Sequence, residues 1–279
     1  MKIIKTIAEL QKHLQNQQSN TEQVGLVPTM GALHNGHLSL IAMAKTQTDI
    51  VVCSIFVNPT QFTNALDLEK YPRPVETDIK KLQQANCDIL FMPDATEMYP
   101  QKEHWHLDIG GIEHRLEGKF RPGHYQGVTH IVYKLFVAVK PDVAFFGQKD
   151  FQQFLVIGKM TEIKKLPVKL VMCPIIREAD GLAMSSRNIH LSAGERKQAR
   201  VLSRALQHIK KRYVKEASAA ILKEASEMIK AEPEIGLEYL EIVNRNDLDD
   251  DLSDPEKGVI ALVAAKVGQT RLIDNMILS

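Results

Sequence analysis

Between residues 24 and 176 the chain repeats one pattern that few folds can satisfy: short runs apolar at nearly every position, separated by longer amphipathic segments. The runs are VGLVPTM, DIVVCSIFVNP, DILFMP, PDVAFFG and VKLVMCPII. A strand with one wet face would alternate apolar and polar residues. Runs without alternation predict strands buried on both sides, as in a parallel sheet covered by helices on each face. Helices are predicted over about 35–48, 74–87, 129–140 and 149–165. The expected class is α/β with a doubly wound parallel sheet.

Past READGLAMSSRNIHLSAGE the character changes to two helices, about 195–213 and 217–231, followed by strands near LEYLEIVN, GVIALVAAKVG and TRLIDNMIL. This predicts a main unit over residues 1–176 and a smaller α+β C-terminal unit over 177–279, a division that 279 residues can support. The opening MKIIKTIAELQKHLQ carries a helical pattern and lacks the apolar core and cleavage site of a signal peptide. No apolar stretch approaches the ~20 residues of a membrane span. A net charge of +1 supplies no long-range field toward nucleic acid or an anionic membrane. Cys53, Cys87 and Cys173 are odd in number and widely spaced, which argues against a disulfide framework and for a reducing cytoplasm. The acidic run NDLDDDLSDPEKG lacks the ligand spacing of a calcium loop and is read as a solvated turn. The basic helix RKQARVLSRALQHIKKRY has an apolar stripe, Val201, Leu202, Leu206 and Ile209, that predicts packing on a core.

Three loops carry chemistry. In PTMGALHNGHLSLI a predicted strand gives way to a predicted helix, with His34 and His37 at the junction and Gly31 and Gly36 beside them. A helix N-terminus offers free N–H groups and positive partial charge, glycines admit a bulky anion, and two imidazoles three apart can face one phosphate. With ordinary values near ~6.5, each could also gain charge there. Nucleotide binding is the favoured reading; helix capping or core histidines, and a zinc pair short of its third ligand, remain open on this motif alone. LAMSSRN, Leu182 to Asn188, puts two hydroxyls and a guanidinium on a polar loop suited to polyphosphate. FFGQKDFQQF places Lys149 at the end of a strand, where a compact charge can neutralise phosphate oxygens or simply sit at the surface.

An HxGH loop followed by a KMSKS-like loop resembles the nucleotidyltransferase superfamily that includes class I aminoacyl-tRNA synthetases. Ala183 stands where that superfamily usually has a lysine before the Met, a charge that Lys149 and Arg187 could supply. More specifically, PTMGALHNGHLSL, FVNPTQF, RPGHYQGV, FGQKDFQQ and LAMSSRN, in this order over nearly the whole chain, resemble the pantoate:β-alanine ligase (pantothenate synthetase) family. The resemblance implies a Rossmann-like sheet and a cytoplasmic, usually homodimeric enzyme using ATP and Mg2+. Such an enzyme makes pantoyl adenylate and pyrophosphate, after which β-alanine displaces AMP. It implies that Met30, Gly31, Ala32, Leu33, His34, Asn35, Gly36 and His37 border ATP, with both histidines on its phosphates and His37 as acid. Gly147, Gln148, Lys149, Asp150, Ile176, Met184, Ser185, Ser186 and Arg187 would complete the nucleotide site. Gln61 and Gln153 would hold pantoate. Asp78 would help to hold magnesium, with Glu76 and Thr77 beside it. Arg121 and His124 of RPGH are implied to support the substrate site, in a role left open. The alternatives are another HxGH adenylating enzyme or a nucleotide-sensing module without catalysis.

Overall fold

The computed structural model describes residues 1–17, 22–214 and 217–279. In chain order the first unit runs β1 (Lys2–Ile4), α1 (Ile7–Gln17), β2 (Val24–Thr29), α2 (Asn35–Gln47), β3 (Ile50–Ile55), α3 (Ala65–Lys70), α4 (Val75–Gln84) and β4 (Ile89–Phe91). It continues with α5 (Ala95–Met98), α6 (Leu116–Phe120), α7 (His124–Val139), β5 (Val143–Gly147), α8 (Phe151–Ile163) and β6 (Lys169–Cys173). Its six strands pair in parallel in the order β1-β4-β3-β2-β5-β6.

Burial on both faces is visible residue by residue in β3. Ile50 and Val52 enter one apolar cluster, with Leu26, Phe146 and Val156, while Val51, Cys53 and Ile55 enter another on the opposite face with Val27, Ile41 and Phe145. Successive side chains of a strand point to opposite faces, so both sets must be apolar when helices cover both. The chain leaves β2 toward β3 on one side and returns as β5 on the other. A crevice therefore opens beyond the carboxyl ends of β2 and β5, the place where doubly wound sheets bind ligands.

The N-terminal stretch corrects an all-helical reading of MKIIKTIAELQKHLQ: residues 2–4 form an edge strand parallel to β4 before the helix begins. Three residues are too few for a period to show, and the strand is held by its partner and by the buried Ile4.

After β6 come α9 (Ala193–Arg212), α10 (Ser218–Lys230) and an antiparallel sheet of β7 (Ile235–Asn244), β8 (Val259–Val267) and β9 (Thr270–Ile277). The helix α9 starts with a reciprocal cap between Ser192 and Glu195 and buries Val201, Leu202, Leu206 and Ile209 on that sheet. The other face of the sheet gives Tyr239, Val243, Ile260 and Leu262 to the main cluster. One apolar core thus runs continuously between the two units. The acidic run is a chain of local turns in which Asp247, Asp249, Asp251 and Asp254 each accept the N–H two residues on.

Candidate active site

The chain leaves β2 through two residues in the left-handed region, Gly31 (φ 81°) and Ala32 (φ 48°), and enters α2 with His34 as its N-cap. Backbone of this kind persists only where surroundings over-determine it. Here α4 does so. Asp78 accepts from the N–H of Ala32 (2.7 Å) and of Leu33 (2.8 Å), and Lys81, one turn on, donates to the Leu33 carbonyl. Asp78 is 1% exposed, with both oxygens engaged. Through these two bonds the carboxylate anchors the loop. Burial pushes its carboxyl up from the ordinary range, partly offset by those two donors.

The two imidazoles cap the helix reciprocally. Gly36 N–H donates to His34 Nδ1 (3.1 Å), His34 N–H lies 3.3 Å from His37 Nδ1, and the rings sit 4.1 Å apart. A Cβ on Gly36 would come within 2.8 Å of the His34 ring, so the glycine is required by the histidine itself. Because each Nδ1 accepts, the proton of each neutral ring belongs on Nε2, leaving an N–H donor for a ligand. Burial, with Lys149 and Lys81 adding repulsion, pushes His34 down to about 4. Burial, then His34 and Lys149, pushes His37 down to about 3. Both shifts favour the neutral rings, and capping and phosphate donation are compatible because they use different nitrogens.

At the end of β5, Gln148–Asp150 form a single 3-10 turn ahead of α8. Asn275 of β9, 1% exposed, grips that turn. Its Nδ2 donates to the carbonyls of Gln148 (2.9 Å) and Lys149 (3.0 Å), and its Oδ1 accepts from Gln148 Nε2 (3.0 Å). The preceding residue, Asp274, holds Arg177 by two bonds (2.7 and 3.0 Å). Arg177 in turn pairs as a β-bridge with Ala183, next to the MSSR stretch. The lysine turn and the serine-arginine loop are thus fixed to neighbouring residues of one strand.

In that loop Met184 N–H donates to Ile176 O (3.0 Å), and Ser186 Oγ donates to Ala32 O (3.0 Å), tying it to the histidine loop. Ser185 Oγ accepts from Arg187 N–H (3.2 Å). The Arg187 guanidinium pairs with Asp67 (3.0 Å) and lies 5.9 Å from the centre of the Tyr71 ring.

The amide orientation of Gln61 follows from its partners. Asn58, fully buried, accepts at Oδ1 from Tyr99 OH (2.8 Å) and donates Nδ2 to Gly127 O (3.1 Å). That Nδ2 also lies 3.2 Å from Gln61 Oε1, so Gln61 turns its oxygen to Asn58 and keeps its NH2 group for Met30 Sδ (2.9 Å), a weak acceptor. Gln61 is therefore poised as a donor. Gln153 sits half-buried on the first turn of α8.

One cleft collects these groups. Met30, His34, Gly36, His37, Gln61, Gly147, Lys149, Asp150, Gln153, Ile176 and the run Met184 to Arg187 all line it, over an apolar floor that includes Phe56, Val128, Ile131 and Leu135. Of the residues expected at the nucleotide, Gly31, Ala32, Leu33, Asn35 and Gln148 do not line it. Leu33 packs into the core, Asn35 is exposed and Gln148 turns to Asn275. Sequence reasoning missed Asn58, Tyr71, Asp67, Lys81 and Asn275. Asn58 could have been found as a turn cap ahead of Pro59 and Thr60; Asn275, in the middle of a strand, left no local signal.

The family model described as Pantoate-beta-alanine ligase matches residues 2–277. A pantothenate synthetase of Koribacter versatilis is 45% identical over 287 residues, covering 100% of this chain and 96% of the relative. That of Acetivibrio thermocellus is 45% identical over 280 residues, covering 99% of each. The crystal structure of pantothenate synthetase from Thermus thermophilus superposes with a TM-score of 0.91 at 41% identity, covering 100% of this chain and 99% of that one. A pantoate-beta-alanine ligase from Francisella tularensis, solved in complex with β-γ ATP and β-alanine, gives a TM-score of 0.83 at 32% identity, covering 100% and 98%.

Proposed function

The chain belongs to the pantoate-beta-alanine ligase family, and from that premise we propose that its cleft condenses pantoate with β-alanine, using ATP and passing through pantoyl adenylate. The observation that carries this reading is the convergence of two neutral imidazoles, Lys149, the Ser185 to Arg187 run and two glutamines on one crevice at the sheet's switch point.

A carboxylate is a poor electrophile, so the acid must first acquire a leaving group. A pantoate carboxylate oxygen attacks the α-phosphorus of ATP, the bond from that phosphorus to the bridging oxygen breaks, and pyrophosphate leaves. Negative charge accumulates on the departing phosphates. His34 and His37 meet it with Nε2–H donors, Lys149 and Arg187 with full charges, and Ser185 and Ser186 with hydroxyls. Removing one such preorganised donor typically costs ~10²–10³ in kcat. The amine of β-alanine then attacks the acyl carbon, AMP leaves with the electron pair of the broken C–O bond, and the nitrogen loses a proton. For that step the chain holds the partners together and keeps water from the mixed anhydride.

Gln61 donates to the acid's oxygens and Gln153 adds a second amide, while the apolar floor accommodates the dimethyl carbon of pantoate. Residues 1–176 supply the histidines, Lys149 and both glutamines; residues 177–279 supply the serine-arginine loop. Among the described residues no group of three or more His, Cys, Asp or Glu could hold a metal by itself. Magnesium fits as an ion brought in on the nucleotide, with Asp150 the carboxylate in the cleft, because it commonly binds through phosphate oxygens and one or two carboxylates. When bound it neutralises the leaving pyrophosphate. The reading includes a cytoplasmic homodimer, which sedimentation equilibrium would check.

The experiment measures AMP and pyrophosphate from ATP with pantoate and β-alanine, omitting each in turn. Pyrophosphate release that needs pantoate, and AMP release that needs both, is expected. Release driven by a different acid, or none with pantoate, would overturn the reading.

A further inference from the structure

The RPGHYQG stretch is the motif that the chemistry of the cleft leaves without a task. Arg121, His124 and Gly127 do not line the cleft, yet His124 and Gly127 meet the turn from Asn58 to Gln61 that forms part of its wall, and Arg121 meets His124. We propose that His124, held by Arg121, is a positioning residue for pantoate that fixes the main chain of Gln61 and so aims the Gln61 amide at the acid. The proposal rests on the pantoate reading above.

His124 opens α7 and is 5% exposed. Its Nδ1 lies 2.7 Å from the Gln61 carbonyl oxygen, which can only accept, so Nδ1 bears the proton. Its Nε2 lies 3.0 Å from Arg121 Nη1, which can only donate, so Nε2 is the bare nitrogen. Both ring nitrogens are thereby assigned, and the ring is a neutral relay from guanidinium to carbonyl. Burial, with repulsion from Arg121 next, pushes His124 down to about 3, in keeping with that neutral form.

Two further contacts show that the turn is clamped as well as touched. Asn58 Nδ2 bridges the carbonyl of Gly127 to Gln61 Oε1. A Cβ on Gly127 would stand 2.3 Å from Thr60 O and 2.7 Å from Gln61 Cα, so the helix backbone presses directly on the turn. Gln61 is gripped at its carbonyl by His124 and at its side-chain oxygen by Asn58, and only its NH2 group is left to the cleft. Misplacement of a substrate-holding group by ~1 Å can cost ~10²-fold, so a slack Gln61 main chain is expected to register in catalysis.

The test compares His124→Ala, His124→Asn and His124→Gln, each screened for a native melting temperature, in steady-state assays for pantoate, ATP and β-alanine. An asparagine amide nitrogen occupies the place of Nδ1 and can donate to the Gln61 carbonyl; a glutamine amide reaches instead toward Nε2. His124→Ala and His124→Gln are expected to raise the pantoate KM about tenfold while the ATP KM stays within about twofold, and His124→Asn to recover most of the loss. Gln61→Ala combined with His124→Ala should be no worse for pantoate than Gln61→Ala alone, since the histidine acts through the glutamine. Parallel rises in both KM values, equal behaviour of the Asn and Gln variants, or full additivity with Gln61→Ala would overturn the proposal. If His124→Ala does not fold, the Asn and Gln pair decides it. An inactive wild type would refute the pantoate reading, whereas an active wild type indifferent to His124 would refute only this inference.

Discussion

Replacing Asp78 by alanine separates two roles that a carboxylate beside a nucleotide loop could play. The structure gives it both N–H groups of a left-handed turn, at 2.7 and 2.8 Å, inside a site 1% exposed. Alanine leaves two buried donors without acceptors, each at ~1–3 kcal/mol. Part of that loss is returned because the folded chain no longer confines a charge whose burial pushes its carboxyl up. A net destabilisation of about 2–4 kcal/mol remains, or about 4–8 °C in Tm for a chain of this size. Asp78→Asn keeps one acceptor and should lose about half as much. Thermal unfolding, run beside a titration of activity with Mg2+, reads both roles together. An anchor lowers Tm and leaves the half-saturating Mg2+ within about twofold; a metal ligand would leave Tm within about 1 °C and raise the Mg2+ requirement about tenfold. The second pattern would refute the reasoning.

Three other outcomes are expected. Lys149→Ala should slow pantoate-dependent pyrophosphate release ~10²-fold or more while the reaction of supplied pantoyl adenylate with β-alanine is nearly spared, and equal losses in the two half-reactions would count against charge neutralisation. Asn275→Ala, and equally Asn275→Asp, which cannot donate to the carbonyls of Gln148 and Lys149, should lower kcat of adenylation about tenfold with KM values little changed; wild-type rates in both would show that the lysine turn holds itself. His34 and His37 are held at about 4 and about 3 against an ordinary 6.5, so the unfolded chain binds protons that the folded chain refuses. Their contribution to stability is complete above pH 6.5 and is lost as pH falls through the folded values. Denaturant melts between pH 7 and pH 4 should show that decline, and His37→Ala should flatten it.

How much of this was legible in the sequence depended on whether the cause was local. Strands buried on both faces declare themselves as unbroken apolar runs, so β2 to β5 could be read within a few residues, and the edge strand β6, only partly buried, still showed as an apolar run. The strand β1 could not, because a three-residue edge strand is made by its partner. The short helix α6 and the turns between residues 99 and 120 depend on Gln152, which ties them to α8 through the carbonyls of Ile112 and Arg115 and the N–H of Glu117. Periodicity carries no trace of such a tie.

The cleft divides along the same line. Groups that would touch substrate sit in loops with distinctive composition: HNGH, QKD and MSSR could each be proposed from its own few residues, and NPTQ from the family resemblance. The residues that aim them are distant in the chain and ordinary in type. Asn275 holds the carbonyl of Lys149 across 126 residues of sequence, and His124 that of Gln61 across 63. Asp78 holds the loop that leads into the histidines across 45 and 46 residues. A backbone carbonyl or N–H is the same in every residue, so a side chain chosen to bond one leaves no chemical mark on its partner's identity. Reactive groups need particular side chains and announce themselves. Their supports need only a donor or an acceptor at the right point in space, and that point exists only once the sheet, with its switch between β2 and β5, has folded.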